Sequence, residues 1–482
     1  MSQHDLDIAN QGFPATRADI NNALKALGSS NSGATAPSTT YANQLWYDTA
    51  NNIIKIRNED NDAWISVATV DQTNDLISIT HTGMLDLVDD DGSASIRFQA
   101  PSTVTSTTTF TLPDGDGDSG QTLMTNGSGT LSWHAPYGNR NLIINGAMQV
   151  AQRGTSTTGV TTATYLVDRF RGRTTAGSID LSQSTTAPAG FTNSFKLAVN
   201  TTNAFGTASD EAYFEQAVEA QNLQHLEYGL STAQKITLSF WVRSSVAGTY
   251  GIWFYQDDAT KDYSVSYTID STDTWEKKSV TIDGNTADAI DNNNESGMSV
   301  RWYLDGGSDR RGAVTNSWTT NTSTSTKLPT GAPAWMNGSN DWYITGVQLE
   351  IGEQATPFEH RSFGDELARC QRYFQKSYNY GTDPGSATEV GAMYNRLNES
   401  ASNRAVNIKF PVEMRGNTTV VVYSLNGTAG AVSNCNTGFS HSSNVTGSSF
   451  TGTDGAGGLS KLVLGSPVDD IVGLHYTVEA EI

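Results

Sequence analysis

Residues 93–133, SASIRFQAPSTVTSTTTFTLPDGDGDSGQTLMTNGSGTLSW, constrain this 482-residue chain more than any other stretch. Nearly every position is strand or turn chemistry. Ile96 and Phe98 alternate with polar neighbours, and Val104, Phe110 and Leu112 lie in a threonine-rich run. The turn DGDGDSG, the pair Leu123-Met124, the turn NGSG and a strand ending at Trp133 follow. The apolar residues are too few and the strands too short to bury a core from one copy. Such a segment becomes ordered when identical copies wrap around one another, which is the logic of fibrous β-structure.

Composition agrees. Charged residues are 16% of the chain and hydrophobic residues 37%, the gap being filled by Ser, Thr, Asn and Gly. That mixture favours a mainly β protein with many turns. Ten Trp, eighteen Tyr and sixteen Phe are enough for substantial cores, so this is not a disordered chain. The length suits three or four domains. A net charge of −21 repels phosphate backbones and argues against nucleic-acid binding. The opening MSQHDLDIAN is polar and acidic, unlike a signal peptide, and no run of about eighteen apolar residues exists, so no membrane span is expected. Two cysteines, Cys370 and Cys435, are too few for a disulfide framework; Cys370 reads as a small core residue, and a bridge between the two has nothing to support it.

A short helix is expected over 14–28, with Thr16 as N-cap, Asp19 three residues on, an apolar stripe of Ile20, Ala23, Leu24 and Leu27, and Gly28 at the C-terminal cap. Two strands, Gln44–Tyr47 and Ile53–Arg57, flank the turn DTANN, and Trp64 to Val67 closes the module. LISITHTGMLDLVDDDG reads as two strands joined at His81-Thr82-Gly83. Farther on, Ile236, Leu238, Phe240 and Val242 share one strand face; Tyr263, Val265, Tyr267 and Ile269 another; Val347, Leu349 and Ile351 a third. Strands and turn-rich loops over this length predict an antiparallel sandwich. Trp241, Trp253 and Trp342 sit in such strands and read as core. A second helix is expected over 362–378, capped by Ser362 with Asp365, with Phe363, Leu367, Cys370 and Phe374 in one stripe. That stripe packs either on a domain core or on its copies at a trimer junction. Strands return with Val406–Phe410, Thr419–Tyr423 and the closing LHYTVEAEI.

Four groups of residues resemble parts of bacteriophage tail fibres. The shaft segments of that family combine an apolar-x-apolar-x-x-P strand, here Ile96 to Pro101, with a TLPD turn, Thr111 to Asp114. A GQ-L step, Gly120 to Leu123, and a G-x-L-x-W ending, Gly129 to Trp133, complete the set. QLWYDTANNIIKIRNEDNDAWISV resembles a small β-module near the N-termini of such fibres. NLIINGAMQVAQRG with YLVDRF, closed by ITGVQLEIGEQATPFEH, resembles the jelly-roll, carbohydrate-binding-module-like domain of tail fibre and receptor-binding proteins. The second helix, Phe410 to Arg415 and the closing strand resemble their distal domain.

The resemblance implies a homotrimer on the virion: a module at 1–70 attached to tail or baseplate proteins, a β shaft over 71–137, a jelly roll over 138–360 and a distal domain over 361–482. Its expected function is attachment to a host surface glycan or another envelope receptor. The alternatives are an enzymatic tailspike that degrades surface polysaccharide and another virion fibre, such as a head fibre.

Chemistry-bearing motifs are few. There is no nucleophile elbow, no HExxH and no His/Cys cluster, so no catalytic residue and no cofactor is expected. Asp114, Asp116 and Asp118 alternate like the start of a calcium loop, but Ser119 stands where the glycine belongs and Thr125 where the glutamate belongs, so they read as turn chemistry. Trp318 and Trp335 interrupt a polar stretch, 312–341, and serve either as loop anchors or as platforms for a sugar ring. Trp302 and Tyr303, beside the Asp305-Gly306-Gly307 turn, are further glycan candidates of the same kind.

Overall fold

A computed structural model describes residues 8, 12–73, 76–78, 84–88, 95–99, 103, 109–117, 121–125, 128–134, 140–396, 404–416, 418–435, 439–448, 451–452, 459–464 and 471–482. The protein is mainly β and divides into two compact units, Met1–Phe110 and Thr111–Ile482.

In the first unit, helix α1 (Phe13–Gly28) precedes a four-stranded antiparallel sheet of Leu45–Asp48, Ile53–Arg57, Trp64–Asp71 and Leu76–Ser78. The helix starts earlier than expected, because Pro14 fits a first helical turn. Gly12 is the N-cap, and Thr16 lies inside, its hydroxyl bonded back to the Gly12 carbonyl at 3.5 Å. Gly28 stays helical, and the chain reverses at Ser30 and Asn31, both in the left-handed region. Only Ala26 is buried; Ile20, Leu24 and Leu27 are exposed. In the DTANN turn, Asp48 accepts from the Ala50 and Asn51 amides and from Lys55 Nζ at 2.9 Å, while Trp46 and Trp64 meet edge-on. The strands either side of His81 do not form a hairpin. Leu76–Ser78 extends the first sheet, and Met84–Val88 pairs instead with Ser95–Gln99.

The second unit opens with a hairpin, Thr122–Thr125 with Leu131–His134, in which Leu123 faces Trp133. Trp133 Nε1 donates to the Gly115 carbonyl at 2.8 Å and ties down the preceding turn. Asp114 and Asp116 are exposed in that turn, and Asp118 lies outside the described residues. No metal-binding cluster occurs among the described residues.

The sandwich follows. One antiparallel sheet runs, in order, Thr164–Tyr165, Arg171–Thr174, Glu211–Glu219, Ser296–Gly306, Gly248–Gln256, Lys261–Ile269 and Thr319–Thr320. The other runs Glu276–Ile282, Ile236–Ser244, Asp341–Ile351, Ser194–Thr201, Ser178–Ser184 and Ser156–Val160. Between them lie Phe170, Phe195, Phe214, Phe240, Trp302 and Trp342, all fully buried, with Phe214 touching four of the other rings. Fully burying one such side chain contributes about 1.5–3 kcal/mol. The alternation that places Phe240 inside turns Trp241 outward, and it is half-buried on the outer face rather than core.

Helix α2 (Phe363–Gln371) is capped as its sequence indicates: Ser362 Oγ accepts from the Asp365 amide at 3.2 Å. It is shorter than expected, because Phe374–Lys376 leaves the helix to pair with the closing strand, Ile471–Glu479. Cys370 packs with Ile144, Val150 and Tyr373, and no disulfide joins it to Cys435. The closing strand also pairs with Met393–Arg396, Thr418–Tyr423 and Ala431–Cys435, and residues 471–478 are buried on both faces.

The motif NLIINGAMQVAQRG joins this last region to the sandwich. Asn145, in the left-handed region, accepts from the Val150 amide and donates to the carbonyls of Val150 and Asp168. Gln152 bridges Asp168 and the Phe374 carbonyl. Arg153 meets Asp168, Glu479 and Glu481 at 3.6, 3.3 and 3.0 Å, and Arg169, almost wholly buried, pairs with Glu481 and lies over the Tyr373 ring. Glu219 is gripped by Arg372 at 2.8 Å and by the Tyr373 hydroxyl.

Candidate functional site

The outer face of the seven-stranded sheet carries a dense group of charged and aromatic side chains. Trp302 points inward, so its neighbours Arg301 and Tyr303 point out. Cross-strand register then builds two rows. Arg171, Glu215, Arg301 and Trp253 stand side by side on successive strands. Next to them run Arg173, Tyr213, Tyr303 and Gly251. Glu215 is shared by Arg171 and Arg301, each 2.9 Å away. Burial pushes its carboxyl up, but the two guanidinium groups outweigh this and hold it below the usual carboxylate range. The Arg301 guanidinium lies 4.7 Å from the centres of both the Tyr213 and Trp253 rings.

A long segment after Gly306 folds back over this face. Leu328 and Ala332 pack on Tyr213, Trp253 and Tyr303. The Lys327 carbonyl would lie 1.9 Å from a Cβ placed on Gly251, so only glycine admits so close an approach. The same segment holds a parallel pair, Arg311–Gly312 with Leu328–Pro329, and Arg311 Nη2 bonds Asp305 at 2.6 Å.

Between this roof and the sheet is a cleft of about 290 Å³. Trp253 and Tyr303 form its floor; Arg301, Arg310, Lys327 and Glu211 supply charge; Asn321, Thr322 and Ser323 form the rim. Arg310 Nε donates to Glu211 at 3.2 Å, and the Tyr303 hydroxyl donates to the same carboxylate at 3.3 Å. Lys327 lies over the Trp253 ring and donates to Asp262 at 3.1 Å and Asn321 at 3.0 Å. Burial pushes the Lys327 ammonium down to about 8, against the pull of Asp262.

Of the glycan candidates read from the sequence, Tyr303 lies beneath this cleft, its ring packed under Leu328 and Ala332 and its side chain buried. Trp302 is wholly buried between the two sheets, its ring against Phe214 and Phe240, and offers no face to a sugar. Trp335 is equally buried, in the same core, despite its polar sequence context. Trp318 is half-buried: its Nε1 donates to the Asp283 carbonyl at 2.7 Å and its ring meets Tyr228 and Tyr263 edge-on. Geometry therefore gives Trp318 and Trp335 the anchoring role. Sequence reasoning missed Glu211, Trp253, Arg301, Arg310 and Lys327. The signal was present in SVRWYLDG, where an arginine sits mid-strand beside an inward tryptophan.

No family model and no curated protein matches the chain. Solved structures similar to it include the enzymatically active domain of tailspike protein 4 of bacteriophage CBA120, at 12% identity and a TM-score of 0.25 over 44% of this chain. The match spans 21% of that tailspike chain. A putative sugar binding protein from Bacteroides thetaiotaomicron is matched over 44% of this chain and all of its own length, at 14% identity and a TM-score of 0.26. The family 11 carbohydrate-binding module from Clostridium thermocellum, in complex with a mixed-linked tetrasaccharide, is matched over 42% of this chain and 99% of its own, at 10% identity and a TM-score of 0.23.

Proposed function

We propose that the chain is a non-enzymatic attachment protein, a trimeric bacteriophage tail fibre or receptor-binding protein whose sandwich holds a host-surface saccharide. The cleft on the outer face of the seven-stranded sheet carries this reading. Its side chains are held by partners before any ligand arrives, and its rim offers amide and hydroxyl groups suited to sugar hydroxyls. The trimer and the virion position rest on the fibre-like motifs. Phe98, Phe110, Leu112 and Leu123, exposed in the single chain, are the apolar positions a second and third copy would cover.

The test is a glycan array probed with the intact protein, followed by incubation with the glycans it retains. Binding without new reducing ends is expected. Sustained release of reducing ends makes the protein a tailspike enzyme and overturns the reading. Cryo-electron microscopy of whole virions separates a tail from a head position.

A further inference from the structure

We propose that the cleft takes an anionic saccharide residue, a sugar ring bearing a carboxylate or a phosphate. This rests on the reading of the cleft as a saccharide site and adds its charge class. In a chain of net charge −21, this face is locally cationic. Arg301, Arg310 and Lys327 line the cleft against Glu211 alone. The ion-pair partners of Arg171, Arg173, Arg301, Arg310 and Lys327 are Glu211, Glu215 and Asp262, and Asp257 acts on Arg301 from farther away. Two of those carboxylates are each divided between two guanidinium groups: Glu215 between Arg171 and Arg301, and Glu211 between Arg310 and Arg173. The surplus comes from Arg171 and Arg173 beside the cleft, while the lining itself holds three cations and one carboxylate.

The side chains are also fixed. Arg301 lies between Tyr213 and Trp253, and Arg310 is held by Glu211 and by the Ser323 carbonyl. A guanidinium so held offers its remaining N–H groups as a planar fork, the geometry that suits carboxylate and phosphate. A volume of about 290 Å³ admits a small ligand, such as a single terminal or side-branch residue, rather than a long oligosaccharide.

The experiment uses three sugars that share one ring: galactose, galacturonic acid and galactose 6-phosphate. Each is titrated into the intact protein by ligand-observed NMR at low and high salt. Either anionic sugar is expected to bind at least about tenfold tighter than galactose at low salt, with the advantage shrinking as salt rises. The stronger anion distinguishes carboxylate from phosphate. Arg310→Gln should abolish the advantage, and Glu211→Gln should enlarge it by removing a carboxylate from the lining. Circular dichroism identifies any variant that fails to fold, and the wild-type salt dependence then decides alone. Equal binding of all three sugars, lost on Ser323→Trp, keeps the saccharide site and overturns the anionic assignment. Absence of any binding that Ser323→Trp alters overturns both.

Discussion

Glu479 and Glu481 both reach Arg153, yet removing their charges should have very different consequences. Glu481 lies 3.0 Å from Arg153 and also pairs with Arg169; its side chain is 5% exposed and that of Arg169 is 1%. Glu481→Gln leaves Arg169 buried with only the Ala217 carbonyl and the Tyr373 ring to stabilise its charge. Removing one partner of a buried ion pair costs about 3–5 kcal/mol, because the remaining charge stays desolvated. Glu479 lies 3.3 Å from the same Arg153 but is 44% exposed, and exposed pairs contribute about 0–1 kcal/mol. Arg153 moreover keeps Asp168 at 3.6 Å in either variant. Urea unfolding followed by tryptophan fluorescence measures both. The midpoint should fall steeply for Glu481→Gln and barely for Glu479→Gln. Equal small losses would refute the reading of Glu481 and Arg169 as a buried ion pair that holds this junction together.

Three further outcomes are expected. Affinity for the anionic sugar should fall as pH rises through about 8. Lys327, facing Asp262, Asn321, Arg301 and Arg310, carries its proton only below that value when folded, and the anion favours the protonated form; a flat NMR titration from pH 6.5 to 9.5 would contradict this. Trp335→Ala should cost about 3–5 kcal/mol of stability and Trp318→Ala roughly 1–2 kcal/mol, neither changing galacturonate affinity in the surviving fold. Glu215, held below its ordinary value of 4.5, contributes stability that is present above that pH and lost as pH falls below it. Urea midpoints between pH 3 and 6 should therefore drop less on acidification in Glu215→Gln than in the wild type.

Local chemistry was legible at some elements and not at others: Thr16 and Gly28 lie inside α1 rather than capping it. The Ser362–Asp365 cap and the strand Ile53–Arg57 are set by near neighbours, and both form as read. The end of α2 was not legible, because Phe374 leaves the helix to pair with Glu479, a residue a hundred positions away. Polar context misled at Trp335: the segment around it is hydrophilic, but Arg311 and Asp305 bind its neighbouring backbone and seat the ring in the core. The cleft was hidden for the same reason. Its floor comes from two strands and its roof from a third segment, and only sheet order brings Trp253 beside Arg301. Tyr303 lies at the cleft and Trp302 does not because strand alternation turns them to opposite faces, a distinction the reading of the turn beside them did not draw.

The close contact at Gly251 separates what the cleft recognises from what keeps the sandwich folded. The Lys327 backbone rests on Gly251 with no room for a side chain, so the height of the roof is fixed by one glycine. Thr322 and Ser323, by contrast, are exposed at the rim and touch no core residue cluster. Exposed substitutions of that kind usually change stability by less than about 0.5 kcal/mol. Ligand preference is therefore free to drift through the rim at almost no cost in folding, while a change at position 251 would lift the whole roof. A collection of random variants sorted for new sugar preference should accumulate changes at Thr322 and Ser323 and keep glycine at 251.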